Sequence, residues 1–132
     1  MASILLIEDH IEFANALQRL LNGKTGFQII DVVQSAEDTL KKLPDLKVDL
    51  ILVDVSLPMM NGIDLVQQIH AEYRQLRCLM LSGHMTPKYV KRSLDVGARG
   101  YILKDDLSGI REGIRRVLDG EIYLSEVLRQ YQ

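Results

Sequence analysis

The chain has 132 residues, 47% of them hydrophobic and 26% charged, enough apolar side chain for one domain with a sizeable core. Its 16 basic and 18 acidic residues leave a formal net charge of −2, which excludes nucleic-acid binding driven by overall charge. A single cysteine, Cys78, excludes a disulfide framework, no apolar run approaches the roughly 18 residues of a membrane span, and the amino terminus turns acidic at Glu8, too early for a signal peptide. The expectation is a soluble, cytoplasmic, single domain.

The first aliphatic run, Ile4-Leu5-Leu6-Ile7, is too short and too continuously apolar for a surface helix, and reads as a strand covered on both faces. Ala14, Leu17 and Leu21 then follow helical spacing. The second run spans Phe27 to Val33, and Ser35 with Asp38 resembles a capping box that opens the next helix. The third run, Leu50 to Val53, precedes a helix marked by Leu65, Val66 and Ile69. After the fourth, Cys78 to Leu81, a helix is expected over about residues 86–96, with Gly97 as its left-handed terminator. The fifth run, Tyr101-Ile102-Leu103, leads into Ile110, Ile114, Val117 and Leu118, which recur at i, i+4, i+7 and i+8 with Arg111, Glu112, Arg115 and Arg116 opposite. Gly120 ends that helix. The alternation predicts an α/β fold, a (βα)5 doubly wound parallel sheet over residues 1–120, with 121–132 as a tail.

Open sheets of this kind bind ligands at the carboxyl ends of their strands. Glu8 and Asp9 stand after the first run, Asp54 after the third, Ser82 after the fourth and Lys104 after the fifth. Singly, each has an ordinary explanation: an aspartate after a strand is often a helix cap, and a lysine there is usually solvated. On one sheet edge they converge. Three close carboxylates repel one another, and one would be driven to bind a proton. A hard cation such as Mg2+ removes that cost, taking one or two carboxylates with waters and a phosphate oxygen. With Lys104 it would offset all three charges. An aspartate so neutralised, beside an ammonium and a hydroxyl, is suited to attack phosphorus. The stretch after Asp54, Val-Ser-Leu-Pro-Met-Met-Asn-Gly, reads as a turn held by Pro58 and Gly62.

These residues resemble a response-regulator receiver domain, the phosphoacceptor part of bacterial two-component signalling, over about residues 3–119. The motifs are Glu8-Asp9, Asp54 with its turn, Leu81-Ser82, and Tyr-Ile-Leu-Lys at 101–104. The resemblance implies a flavodoxin-like strand order 2-1-3-4-5. It implies that Asp54 accepts a phosphoryl group from a histidine kinase or phosphotransfer protein. Mg2+ would be held by Glu8, Asp9, Asp54 and the backbone carbonyl of Ser56, and Ser82 and Lys104 would bind the phosphoryl oxygens. Such a domain assists only its own phosphorylation and dephosphorylation, and is not otherwise an enzyme. Tyr101 would report the state, resting outward or mixed until Asp54 is modified. The face of the fourth helix, fifth strand and fifth helix would then change, with a homodimer as one use of it. Departures are small: Glu-Asp stands for Asp-Asp, Ser82 for the commoner threonine, and Asp105 for a frequent proline.

Gly-Tyr-Ile-Leu-Lys-Asp and, in the tail, Gly-Glu-Ile-Tyr-Leu-Ser are similar to the NarL/FixJ subfamily. There a linker leads into a DNA-binding domain, so 121–132 reads as the start of a linker and the chain alone is expected not to bind DNA. A free-standing receiver, or an adaptor that works without phosphorylation, is the alternative. A flavodoxin-type carrier would need a phosphate loop where Glu8-Asp9-His10 stand. A haloacid-dehalogenase-like phosphatase would need an aspartate at Ser56. His10 and His70 read as surface helix residues and Cys78 as packing. Ser56 and His84 flank the pocket mouth, and Met59-Met60 reads as partner contact or core filling.

Overall fold

The computed structural model describes residues 1–23 and 26–131. The aliphatic runs become parallel strands: β1 (Ala2–Ile7), β2 (Phe27–Val33), β3 (Leu50–Asp54), β4 (Arg77–Ser82) and β5 (Gly100–Leu103). Between them lie α1 (Ile11–Leu21), α2 (Ala36–Lys42), α3 (Gly62–Glu72) and α4 (Pro87–Asp95), and α5 (Leu107–Leu118) follows. The expected order 2-1-3-4-5 is present, extended by β6 (Tyr123–Leu124) on the outer edge of β5.

The period-two alternation of a strand explains why the runs are apolar throughout. Leu5 and Ile7 of β1 join a core with Ile63, Val66 and Ile69 of α3 and Val90 of α4. Ile4 and Leu6 join the opposite core, with Leu17 of α1 and Ile110 and Ile114 of α5. Both faces of the sheet are thus sealed. The predicted punctuation holds as well: Ser35 Oγ accepts a hydrogen bond from the Asp38 N–H at 3.1 Å, and Gly97 (φ 107°) and Gly120 (φ 91°) are left-handed. At Gly97 a Cβ would also lie 2.7 Å from the His70 ring, so His70 is wedged against the end of α4 rather than free on the surface.

The segment after Gly120 is the departure. Beyond its reading as a tail or the start of a linker, it adds a strand: β6 pairs in parallel with β5, Gly100 opposite Tyr123 and Tyr101 opposite Leu124. A 3-10 turn (Glu126–Tyr131) then brings Leu128 into the core beside Val90 and Tyr101. Among the described residues, no helix is long and apolar enough to cross a membrane.

Cys78 lies on β4 inside the core, and burial pushes its thiol up to about 12. A thiol reagent at pH 8 is therefore expected to leave the native chain unlabelled and to react once denaturant exposes the strand. The folded thiol stays neutral where an unfolded one ionises, so its contribution is present below the ordinary thiol pKa and is lost as pH rises above it. Fast labelling of the native chain would show that β4 is not sealed.

Candidate functional site

Register brings the strand ends level. Ile7 stands opposite Val53, Val53 opposite Met80, and Ser82 opposite Leu103. The residues just beyond therefore meet at one rim. Asp54 closes β3 and is 2% exposed, while Glu8, the residue after β1, is fully buried and Asp9 is exposed. Carboxylate oxygens of Glu8, Asp9 and Asp54 all lie within 4.8 Å of one another.

Lys104 reaches over this rim from the end of β5. Its ammonium is 2.8 Å from Glu8 Oε1 and 3.2 Å from Asp54 Oδ2. On its other side it lies 4.8 Å from the centre of the Phe13 ring on α1, a cation–π contact that the motif reading did not foresee. Burial pulls the Lys104 pKa down, but the carboxylates of Glu8 and Asp54 more than reverse this, and it ends raised. Glu8 moves the other way from an ordinary carboxylate. Burial pushes it to about 7, with Lys104 opposing and Asp54 adding repulsion.

The donor set fits a hard cation. Three carboxylates share one patch, and no nitrogen or sulfur ligand competes among the described residues grouped there. The buried Glu8 Oε1 faces Lys104 as an ion pair but receives no well-directed hydrogen bond. Its partner Oε2 accepts from the His10 N–H at 3.1 Å.

The sequence profile described as the response regulator receiver domain matches residues 4–115, which contain every one of these groups. The chain belongs to that family. It is 29% identical to the transcriptional regulatory protein DegU of Brevibacillus brevis over 122 residues, 92% of this chain and 52% of that protein. To the response regulator protein VraR of Staphylococcus epidermidis it is 30% identical over 127 residues, 95% of this chain and 61% of that protein. The receiver domain thus spans between half and two thirds of the length of these relatives. A LuxR-family two-component response regulator of Aurantimonas superposes with a TM-score of 0.94 at 23% identity, covering 99% of this chain and 94% of that one. The NarL/FixJ-like resemblance agrees with these relatives.

Within the receiver domain the remaining expected residues are placed differently from one another. Ser82 is buried at the end of β4, but its hydroxyl is turned onto its own loop, donating to His84 O at 2.9 Å and accepting from the His84 N–H at 3.0 Å. Ser56, just past Asp54, uses its N–H to hold Asp54 Oδ1 at 3.1 Å. Tyr101 is fully buried, pointing inward from β5. Leu124 and Leu128 of the terminal segment share its core cluster, and this cover is what the sequence reading lacked. Burial raises the Tyr101 phenol, with Ser82 pulling the other way, and its hydroxyl has no hydrogen bond of good geometry among the described residues.

The turn after Asp54 also works differently from its sequence reading. Gly62 has no positive φ; the left-handed residue is Met59, at φ 69°, with its side chain fully exposed. Met60 packs against the core. Gly62 serves close approach, since a Cβ there would stand 2.1 Å from Asp54 O. Asn61 caps α3 by accepting from the Asp64 N–H at 2.9 Å.

Proposed function

We propose that this receiver domain is a phosphorylation-activated switch in which Asp54 accepts a phosphoryl group from a histidine kinase or phosphotransfer protein. The observation that carries the reading is the seat of Asp54, buried between a cation and a second carboxylate yet at the rim of the sheet. An Asp54 carboxylate oxygen attacks phosphorus, the P–N bond to the donor histidine breaks, and that nitrogen keeps the electron pair. Ser56 N–H orients the carboxylate through its other oxygen. Lys104 turns from its two carboxylates to the transferring oxygens, and the Ser82 hydroxyl exchanges His84 O for one of them. Glu8, Asp9, Asp54 and the carbonyl of Ser56 would hold Mg2+, which supplies charge neutralisation on the phosphoryl oxygens.

Phosphorylation turns one negative charge into about two and adds strong acceptor oxygens, and the response is relayed through Ser82 and Tyr101. In a longer cytoplasmic regulator the output would be transcription through a DNA-binding domain, with α4, β5 and α5 as the regulated and dimer-forming face. Incubating the chain with Mg2+ and a small acyl phosphate should add one phosphoryl mass, and an unmodified mass would refute the reading. Asp9→Asn should weaken Mg2+ by at least about tenfold, because a charged oxygen ligand is lost. Equal affinity in a Mg2+ titration would remove Asp9 from the site.

A further inference from the structure

Besides Glu8 and Asp54, a third group holds the Lys104 ammonium, and it takes no part in the chemistry assigned above. Phe13 lies on α1 one position before the buried Ala14, so it belongs to the flank of the helix beside its core face. With Leu17 and Leu20 it recurs at i, i+4 and i+7, and all three line an apolar groove between α1 and the turn into α5. Lys104, Asp105 and Leu107 form the other wall of that groove. The Phe13 ring is half-buried against the core that also contains Ile110 and Ile114, so it is not a free surface ring. The ammonium therefore stands on a boundary. On the site side it meets Glu8 Oε1 at 2.8 Å and Asp54 Oδ2 at 3.2 Å, and on the groove side it meets the ring at 4.8 Å from the centre. The Lys104 side chain is 20% exposed, so water reaches it only in part.

We propose that Phe13 is a positioning residue for phosphoryl uptake: its ring holds the Lys104 ammonium at the rim, within reach of the oxygens arriving at Asp54. The inference rests on the phosphoacceptor reading above. A lysine charge rides on a flexible four-carbon stem and is strongly hydrated, so at a strand end it tends to spread into water. A π face within about 6 Å attracts the ammonium through the ring quadrupole, more strongly where water is thinned. The ring carries no formal charge and no oxygen. A third carboxylate in its place would compete with the phosphoryl oxygens for the ammonium, whereas the ring steadies the charge without competing. Leucine at position 13 would keep the groove apolar and lose the attraction. The exposed Asp105 of the same wall then competes for the charge, and fewer Lys104 conformers face the site.

The test uses the whole chain with Mg2+ and a small acyl phosphate, and follows intact mass over time, with thermal unfolding as the control for folding. Phe13→Leu should slow phosphoryl uptake at least about threefold, and Phe13→Tyr, which restores a π face, should return it to within about twofold of the native rate. Replacing Phe13 by mono-, di- and trifluorophenylalanine keeps the shape of the ring and weakens its face in steps. The rate should fall in that order, which a ring that only filled space would not produce. Mg2+ affinity should stay constant across the series, since Phe13 offers no ligand atom. Without any phosphoryl donor, proton NMR should find the Lys104 ε-methylene shifted upfield by the ring, and Phe13→Leu should abolish that shift. No phosphoryl mass on the native chain would overturn the phosphoacceptor reading and the role of Phe13 with it. Native uptake with a rate indifferent to fluorination, a fall in rate matched by a loss of Mg2+ affinity, or a Lys104 shift unmoved by Phe13→Leu would overturn the role of Phe13 alone.

Discussion

Asp54→Asn is expected to take up no phosphoryl group under conditions that modify most of the native chain. Asparagine keeps the size of the side chain and an oxygen for the Ser56 N–H, now 3.1 Å from Asp54 Oδ1, so the loop has no reason to move. It lacks the anionic oxygen that must attack phosphorus. Neither neighbouring carboxylate can substitute. Glu8 is fully buried and pushed to about 7 by that burial, and Asp9 is exposed, with no ion pair to Lys104. Intact mass after incubation with Mg2+ and an acyl phosphate decides it, with thermal unfolding as the control for folding. A full adduct on the Asp54→Asn variant would place the chemistry elsewhere.

Gly62→Ala is expected to cost about 3 kcal/mol of stability, at the upper end of ordinary overpacking. The added carbon would stand 2.1 Å from Asp54 O and 2.9 Å from both Asp54 C and Val53 Cγ1, two of the three being backbone atoms. No rotamer change relieves that. The Gly62 N–H also donates to Val55 O at 2.8 Å, so α3 cannot withdraw without losing a buried bond. Either the helix lifts or the end of β3 moves, and the second displaces Asp54 itself. Urea unfolding should show a lower midpoint with an unchanged slope, and phosphoryl uptake should slow. A loss below about 1 kcal/mol would mean that the start of α3 is not clamped against β3.

Much of this site was legible in the residues. Continuous aliphatic runs mark strands covered on both sides, and parallel strands share an edge, so Glu8, Asp9, Asp54, Ser82 and Lys104 could be grouped before any distance was known. The Ser35 cap and the left-handed Gly97 and Gly120 were equally visible, because each depends on residues next to it in the chain. The misread positions are those where a residue's role is set by something remote. Gly62 looked like a turn glycine and is a packing glycine, with the strained backbone passed to Met59. Phe13 gave no sign that it would lie over Lys104, 91 positions away in the sequence.

The sequence by itself determined the element order, the strand-end chemistry and the family resemblance, since periodicity, caps and motif spacing are local properties of the chain. Only the tertiary structure decided that Tyr101 is buried, that Ser82 spends its hydroxyl on His84, and that Tyr123 and Leu124 form a sixth strand. Tyr-Leu flanked by isoleucine and serine is too short a run to announce a strand. Its partners are supplied by β5 and the cap of α5, 22 residues back in the bond from Leu103 to Ser125 and 19 in the bond from Ser125 to Asp106. Such pairing becomes favourable only once the rest of the sheet has closed the loop and left a free edge to complete.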